Sequence, residues 1–470
     1  MQRNSAQLWG KQGARGALIA GVAAVACCLP APASAAPASP ALAGTVSPTP
    51  ASGTPTLVDT GTTEQIRQLV QCGRTMYAVG TFTEIKHGST TYARNNAFSF
   101  SATAPFAVTP WDPNVNGTVD TIAFNGTDCS TAYLGGHFTS VGGAAAKNIA
   151  AVDAAGALVP GFKANASGEV NTLAVAHGHL LAGGTFKGIN GSTADPYFAS
   201  LSPVTGKDDG FAHLNISGHY VYPGVHTNPT KVYNQQLSHS GNLDLVEGDF
   251  TSVGGLGRQQ VFMLNLSGSA AQVTGWSSPE FDGSKGNLPH GYAYQCSLKE
   301  AFYIRAAAWS PDDSTVYTSA TGFEPWNWST SSPRTGLCDS VAAFPATQAE
   351  VTHKWVNYTG CDSLYSVAAD SSAVYIGGHE RWANNPNGCN HQGPGALPAP
   401  GMGGFDPSKL GALITNSSGT AGLYSRSRGR GADDLLRTSA GLWVASDIFG
   451  GSTSCGGQSG FAGICFLPNS

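Results

Sequence analysis

The sequence is poor in charged residues. Only 11% of its residues are Asp, Glu, Lys or Arg, against roughly 25% in an average soluble domain. The formal net charge is −5, which argues against nucleic acid or an anionic membrane surface as the main partner. Beyond residue 35 no stretch is long and apolar enough to span a membrane. We therefore expect no membrane span and no nucleic-acid partner.

The sequence patterns of several enzyme and metal-site classes are also missing. It contains no Walker loop, Rossmann fingerprint, nucleophile elbow or HExxH pair. No CxxC pair occurs, which disfavours a zinc ribbon. Helical periodicity is nearly absent, and Gly accounts for 61 of 470 residues, roughly twice its usual share. These features favour an all-β fold, predict no metal and no cofactor, and favour a non-enzymatic protein while leaving catalysis open.

The first residues read as a targeting segment. A basic stretch precedes an apolar run at residues 17–29 and the small-residue site Ala33-Ser-Ala35, the pattern of a secretory signal peptide. We predict a signal peptide at residues 1–35. Its removal takes away three basic residues and no acid, so the net charge falls from −5 to −8. A lipid anchor at Cys27 is the less well matched alternative.

A linker and one large domain follow the targeting segment. Residues 36–54 consist mostly of Ala, Pro, Ser and Thr, which predicts a flexible or extended linker. Residues 55–470 consist of short β segments separated by turns rich in Gly, Asn and Asp. We expect this second part to form one repetitive, secreted, monomeric domain.

A glycine-rich unit recurs through that domain. Its clearest copy is Tyr133-Leu-Gly-Gly-His-Phe-Thr-Ser-Val-Gly-Gly143. Glycine lets a neighbouring backbone approach closely, the Phe fills the adjacent gap, and Val-Gly-Gly suits a turn that needs positive φ. Aligned copies centre on Gly80, Gly136, Gly184, Gly248, a degenerate fifth near Thr318, Gly378 and a seventh near Ser446.

Each unit reads as four strands, which we call a, b, c and d. In the second unit they are predicted at residues 119–124, 131–137, 148–153 and 158–162. Four strands per repeat predict a propeller blade, and seven units predict a closed ring. The fold class is thus an all-β, seven-bladed β-propeller of four-stranded antiparallel blades. The seventh unit lacks strand d, which we expect residues 56–59 to supply. Two stacked sandwiches are the alternative.

The repeats resemble a known family. The Gly-x-Phe-Thr-x-Val-Gly-Gly units are similar to the delta-60-type β-propeller repeats of secreted bacterial proteins. The region from Gly377-Gly-His-Glu-Arg-Trp382 to Gly441-Leu-Trp-Val-Ala-Ser-Asp447 resembles the end of functionally uncharacterised actinobacterial propellers. The resemblance covers most of the domain. It implies the fold and a secreted location, and it implies no activity.

The eight cysteines of the exported chain predict four disulfides, because an even count in a secreted protein usually forms pairs. Cys72 and Cys129 fall in the a–b turns of neighbouring units, and the others fall in loops and at strand ends of the last three units. We predict these pairs: Cys72–Cys129, Cys296–Cys338, Cys361–Cys389 and Cys455–Cys465.

Long insertions mark one face of the predicted ring. The d–a and b–c connections of a propeller share one face, and the four elaborated connections all belong to those two classes, over units 5 to 7. They span residues 277–296, 321–337, 379–400 and 424–431. Loops on a rigid scaffold commonly carry binding residues, so the candidate sites lie here.

Two candidates involve tryptophan. Trp326 and Trp328 could present ring faces to a sugar, or could cover the core of their own blade. Glu380 could supply a general acid or base and Arg381 a carboxylate clamp, with Trp382 beside them as a further ligand-binding candidate. The structural alternative is a Glu380–Arg381 pair that holds the long loop, with Trp382 as its hydrophobic anchor.

A zinc site formed by His379, Cys389 and His391 is disfavoured because the cysteine is expected to be oxidised.

A third candidate is the row Arg426, Arg428 and Arg430. It could hold an anionic ligand such as an acidic sugar, or could tie units 6 and 7 together. Polar residues at strand-a starts predict a hydrated central channel, with an ion in it as an open alternative. Those residues are Asp120, Asn171, Asp362 and Asp433.

Three functions follow from these candidates. The first is a secreted binding module for an extracellular glycan or cell-wall polymer, through the loop face over units 5 to 7. The second is a polysaccharide hydrolase or lyase that uses Glu380 with Asp362 or Asp433. The third is an interaction scaffold without a small ligand.

Overall fold

Short alternating apolar segments between glycine-rich turns produce an all-β architecture. The computed structural model describes residues 45–219, 229–281, 296, 302–322, 336–415, 431–448 and 454–470. In these ranges the only helical elements are two 3-10 turns, Pro279–Phe281 and Pro407–Lys409. None of the described helices is long and apolar enough to cross a membrane.

The described strands form seven main antiparallel sheets, each from one sequence unit. Sheet 1 consists of Gln65–Cys72, Thr75–Thr81 and Ala97–Ser101. Sheet 2 consists of Thr118–Asn125, Asp128–His137 and Ile149–Asp153. Sheet 3 consists of Val170–Ala176, His179–Gly184 and Phe198–Leu201. Sheet 4 consists of Lys231–Leu237, Leu243–Asp249, Val261–Asn265 and Gln272–Val273. Sheet 5 consists of Ile304–Trp309, Thr315–Ala320, Ser340–Pro345 and Trp355–Tyr358. Sheet 6 consists of Leu364–Ala369, Val374–Gly378, Met402–Asp406 and Ala412–Leu413. Sheet 7 consists of Ala432–Thr438, Gly441–Ser446 and Ile464–Pro468.

The sheets follow one another in chain order and return to the start. The first strand of each sheet contacts the first strand of the next, and that of sheet 7 contacts that of sheet 1. Apolar side chains fill the space between each adjacent pair. Between sheets 7 and 1, Trp443 and Phe466 pack against Phe98 and Phe100. The ring centroids of Phe100 and Trp443 are 5.6 Å apart. This is the arrangement of a β-propeller.

The segment that flanks the last strand differs from our prediction. Thr56–Leu57, expected to complete sheet 7, instead pairs with Ile85 and Lys86 of sheet 1's b–c hairpin. Residues 45–51 flank Ile464–Pro468: Ser47 N donates to Pro468 O at 2.7 Å, and Ala51 N donates to Phe466 O at 2.9 Å. This stretch lies within the predicted linker. Its prolines are tolerated because an edge strand donates only alternate N–H groups to its neighbour.

The predicted fourth strand is also shorter than expected in part of the ring. Sheets 4, 5 and 6 have a fourth strand, whereas the corresponding segments of sheets 1, 2 and 3 form single bridges. In sheet 2, predicted strand 158–162 pairs only through Leu158 with Val152. Pro160 follows, and because proline has no N–H it cannot extend the ladder. The prediction of four strands in every blade is therefore wrong for sheets 1, 2 and 3, which have three strands and a single bridge.

The Val-Gly-Gly segment of the repeat closes small hairpins in the b–c connections. Gly142 and Gly143 have φ of 57° and 80° and join Ser140–Val141 to Ala144–Ala145. Two positive φ values in a two-residue loop are what a tight hairpin needs. The corresponding hairpins are Glu84–His87 with Thr90–Ala93, Ser252–Val253 with Leu256–Gly257, Trp382–Ala383 with Leu397–Pro398, and Ser454–Cys455 with Gln458–Ser459. The preceding Phe138 is buried, as the sequence predicted.

Each first strand carries a register shift near its start, where two residues oppose one on the second strand. Such β-bulges redirect a side chain and increase local twist. In sheet 2 the shift falls between Val119 and Thr121, which leaves Asp120 as the bulged residue. The bulged residues of sheets 1 to 7 are Arg67, Asp120, Asn171, Tyr233, Arg305, Tyr365 and Asp433.

The repeated glycine lies directly behind the bulge. Gly136 pairs with Val119, and an ideal Cβ atom on Gly136 would lie 2.2 Å from the carbonyl oxygen of Thr118. The same approach recurs at Gly80, Gly184, Gly248 and Gly378, with distances of 1.9, 2.1, 2.2 and 2.3 Å. The predicted close backbone approach is thus confirmed, and its cause is the bulge.

We expect Gly136→Ala to lower the free energy of unfolding by about 1–3 kcal/mol, because the added methyl group displaces backbone. Gly257→Ala is the matched control, since a Cβ atom there meets nothing within 4 Å. It should change stability by at most about 0.5 kcal/mol. Urea denaturation of the two variants compares them directly, and equal losses would contradict the close approach.

A buried ion pair joins sheets 6 and 7. Arg437 Nε lies 2.5 Å from Asp370 Oδ2, and the two side chains are 3% and 0% exposed. The other carboxylate oxygen of Asp370 accepts the N–H groups of Ser372 and Ala373. Arg437 Nη1 donates to the carbonyl oxygen of Thr438. Every charge of this pair therefore has a partner inside the protein.

The structure contains the four disulfides that the sequence predicts. Cys72–Cys129 links the a–b turns of sheets 1 and 2. Cys361–Cys389 joins the long 379–400 loop to the segment that precedes sheet 6. Because Cys389 is bonded to Cys361, it cannot serve as a zinc thiolate.

Candidate functional site

The seven bulged side chains line one cavity of about 360 Å³. All seven first strands contribute to it, and the bulged residues are each only partly exposed. In order around the ring they are Arg67, Asp120, Asn171, Tyr233, Arg305, Tyr365 and Asp433. Ligand pockets typically measure about 300–1,000 Å³, so the cavity can hold a small molecule. We call it the axial cavity.

The residue after the bulge links neighbouring sheets beside this cavity. Gln68 Oε1 accepts the N–H of Ile122 at 2.7 Å, and Thr121 Oγ1 accepts that of Leu173 at 3.1 Å. Asp434 Oδ2 accepts the N–H of Leu69 at 2.9 Å, which connects sheet 7 with sheet 1. These bonds fix the strands that carry the bulged residues. A rigid lining lowers the ordering cost of binding a ligand.

Two carboxyl groups form one side of the axial cavity, which we call the acidic wall (Asp120 and Glu169). Arg67 Nη1 lies 3.0 Å from Asp120 Oδ1. Burial and the neighbouring Glu169 raise the pKa of Asp120 to about 7, and Arg67 offsets part of the rise. A carboxyl group with this pKa is partly protonated at neutral pH. It can therefore donate or accept a hydrogen bond to a ligand hydroxyl.

The opposite charge is concentrated on what we call the cationic wall (Lys231, Tyr233 and Arg305). Lys231 Nζ lies 4.8 Å from the centroid of the Tyr233 ring, and Arg305 Cζ lies 5.1 Å from the same centroid. Arg305 Cζ also lies 5.6 Å from the ring centroid of Tyr365. Cation–π contacts at these distances hold each cation over a ring face. Burial and the charge of Arg305 lower the pKa of Lys231.

The axial cavity connects with the long loop of sheet 6 through Tyr365. Its hydroxyl lies 3.2 Å from His379 Nδ1, and the two rings meet edge to face at 5.3 Å. His379 opens the 379–400 loop that the sequence marked as an elaboration. The bulged residues stand at the starts of the first strands, on the same face as that loop.

Glu380 is buried, whereas a residue that contacts a ligand must be accessible to it. It is 1% exposed, and among the described residues neither carboxylate oxygen has a hydrogen-bond partner. Burial raises its pKa well above the ordinary value. Glu380 is absent from the residues that line the axial cavity.

The structural alternative, a Glu380–Arg381 pair that holds the long loop, is wrong because Arg381 pairs with Asp362 instead. Arg381 Nε and Nη2 donate to the two carboxylate oxygens of Asp362 at 2.7 and 2.9 Å. Arg381 Cζ also lies 4.4 Å from the ring centroid of Trp382. Adjacent side chains leave the chain in different directions, so Glu380 is buried while Arg381 reaches Asp362. This arrangement anchors the loop to the start of sheet 6.

The sequence candidates therefore separate into three groups. Asp120, Asn171 and Asp433 line the axial cavity, whereas Glu380 and Asp362 do not. Trp326, Trp328, Arg426, Arg428 and Arg430 lie outside the described residues. Across the described ranges, no group of three or more His, Cys, Asp or Glu residues has the geometry of a metal site.

Sequence reasoning missed the rest of the lining, including Arg67, Lys231, Tyr233, Arg305 and Tyr365. A signal was present at the start of each first strand. An aliphatic residue is followed by a variable residue and then, in most units, by a polar one, as in Ile66-Arg67-Gln68, Val119-Asp120-Thr121 and Leu364-Tyr365-Ser366. The variable middle residue is the bulged one.

Comparison with known proteins gives fold-level likeness only. No protein-family model matches the chain, and no curated protein sequence matches it. Among solved structures, U3-55K has a TM-score of 0.47 at 11% identity, covering 89% of this chain and all of its own. The WD40 repeats of RRP9 give 0.47 at 11%, covering 90% of this chain and 99% of theirs. The WD40 β-propeller domain of Doa1 gives 0.40 at 8%, covering 88% and 96%. Likeness at this level carries no information about a ligand or partner.

Proposed function

We propose that the seven sheets are the blades of one seven-bladed β-propeller, which is exported and binds a small extracellular glycan in the axial cavity. The observation that supports the proposal is that each of the seven bulges directs one side chain into the same space of about 360 Å³. A structural plug would need apolar side chains there, whereas these side chains are charged, amide or phenolic. Polar groups around a partly enclosed space are the usual means of orienting a ligand.

A sugar is the ligand class that fits this lining best. Asn171, Asp120 and Glu169 offer hydrogen-bonding groups for hydroxyls, and the parts of the Tyr233 and Tyr365 rings that the cations leave uncovered offer apolar surface for the C–H groups of a sugar. A longer polymer would reach the cavity across the loop face over sheets 5 to 7, to which the 379–400 loop belongs. The bulged residues open toward that face.

Export is the second part of the proposal. Four disulfides are characteristic of oxidising compartments, and the signal-like residues 1–35 agree with them. Hydrolysis by Glu380 with a partner Asp has weaker support, because Glu380 lies outside the cavity lining and Asp362 is held by Arg381. A scaffold role without a small ligand is the remaining alternative.

A glycan array tests the proposal with three proteins that begin at residue 36. These are the unaltered chain, Tyr233→Ala and Trp382→Ala. We expect the unaltered chain to bind, and Tyr233→Ala to bind at least about tenfold more weakly, since buried aromatic contacts are frequent hot spots. Trp382→Ala should retain binding. Circular dichroism and melting curves establish that both variants are folded.

Each other outcome has a distinct meaning. If only Trp382→Ala loses binding, the site is the sheet 6 loop and not the axial cavity. If the unaltered chain binds no glycan, the proposed function is wrong and the scaffold alternative gains. Release of shorter sugars during incubation would favour the hydrolase.

A further inference from the structure

Two cations on the cationic wall share one aromatic ring. Lys231 Nζ and Arg305 Cζ lie 4.8 and 5.1 Å from the centroid of Tyr233. Lys231 stands two residues before the bulge of sheet 4, and Arg305 is itself the bulged residue of sheet 5. The bulges therefore bring two positive charges from neighbouring sheets to the same part of the axial cavity.

The two cations have no ion-pair partner among the described residues, whereas Arg67 across the cavity pairs with Asp120. Asp249 is the cross-strand partner of Lys231 and attracts it together with Glu169, but neither acid forms an ion pair with it. Burial and repulsion by Arg305 outweigh this attraction and lower the pKa of Lys231. Partly buried charges are normally paired or bound to a ligand. This side of the cavity is therefore built to receive negative charge.

We propose that the ligand of the axial cavity is anionic and that its carboxylate binds between Lys231 and Arg305, as in an acidic sugar. This inference rests on the proposed function and specifies its ligand class. A carboxylate matches the planar donor fork of Arg305, and the Lys231 ammonium adds a charge from the adjacent sheet. The ring of the sugar lies against Tyr233 or Tyr365, and its hydroxyls face the acidic wall. The carboxylate of Glu169 on that wall repels the carboxylate of the ligand, so the ligand binds with its charged end toward the cationic wall.

Isothermal titration with glucuronate and glucose tests the charge preference. The two sugars differ in one carboxylate, so we expect glucuronate to bind at least about tenfold more tightly than glucose at low ionic strength. Lys231→Gln and Arg305→Gln should each reduce the preference for glucuronate over glucose by about tenfold or more. Lys207→Gln removes an exposed cation outside the axial cavity and should leave this preference unchanged.

A second measurement, the pKa of Lys231, tests directly whether an anion binds beside this residue. Reductive methylation with ¹³C labels each lysine, and the pKa of Lys231 is then read by NMR. Arg305→Gln should raise this pKa because a repelling charge is gone, and glucuronate should raise it in the unaltered chain. Inorganic phosphate, added as a third probe, should bind more weakly than glucuronate because it offers no sugar ring.

The outcomes separate this inference from the function on which it rests. Equal affinity for glucose and glucuronate, or a Lys231 pKa that does not change when glucuronate is added, overturns the anionic ligand while array binding keeps the proposed function. Tighter binding of phosphate than of glucuronate replaces the acidic sugar by a phosphate-bearing ligand. Absence of binding in both titrations and array overturns both proposals.

Discussion

Replacement of Arg437 by methionine is expected to lower the free energy of unfolding by about 3–5 kcal/mol. The substitution leaves Asp370, whose side chain is 0% exposed, without its counter-charge between sheets 6 and 7. Removal of one member of a buried pair costs more than the pair itself contributes, because the remaining charge stays desolvated. Urea denaturation followed by tryptophan fluorescence measures the loss.

Two controls separate the buried charge from the loss of a long side chain. Lys409→Met removes an ion pair with Asp406 whose lysine is 73% exposed, and it should cost less than about 1 kcal/mol. The double variant Asp370→Asn with Arg437→Met should lose less than Arg437→Met alone, because no charge remains buried. A loss under 1 kcal/mol for Arg437→Met would show that water reaches Asp370.

Removal of the Cys72–Cys129 disulfide by substitution of both residues with Ala should cost about 4 kcal/mol. Its cysteines are 57 residues apart, and the stabilisation from chain entropy grows with the length of the closed loop. The Cys455–Cys465 bond closes a separation of 10 residues, for which the same relation gives about 3 kcal/mol. The first pair also joins two sheets, whereas the second lies within sheet 7.

Denaturation of the two double variants under oxidising conditions, with disulfide content checked by mass spectrometry, measures both losses. The comparison is internal, since each variant loses one bond and gains two alanines. A larger loss for the Cys455–Cys465 variant would show that strain or packing, rather than loop length, governs these bonds.

Most of the fold could be predicted from the sequence repeat. Glycines such as Gly136 and the Val-Gly-Gly turn recur because each unit repeats the same backbone geometry, so their meaning could be inferred without coordinates. The disulfides were predictable for a related reason, since alignment of the units places Cys72 and Cys129 in adjacent turns. Strand d was not predictable in every unit, because a single residue such as Pro160 ends it.

The site was much harder to predict than the fold. A bulge shifts the alternation of a strand by one residue, so a residue such as Arg305 faces the cavity although the simple two-residue period does not place it there. The bulged residues are two Arg, two Asp, two Tyr and one Asn, so no single side chain marks the position in every unit. Glu380 showed the opposite failure. Its position after a broken repeat indicated a site, but sequence carries no direct measure of burial.

The contact between residues 45–51 and Ile464–Pro468 has a consequence for folding order. Ser470 N donates to Thr45 O across a separation of 425 residues, so this contact forms only after every sheet between them has been synthesised. Contacts of such long range slow folding, because the chain must close a large loop first. Residues 45–51 therefore cannot pair with sheet 7 until Ile464–Pro468 has been synthesised.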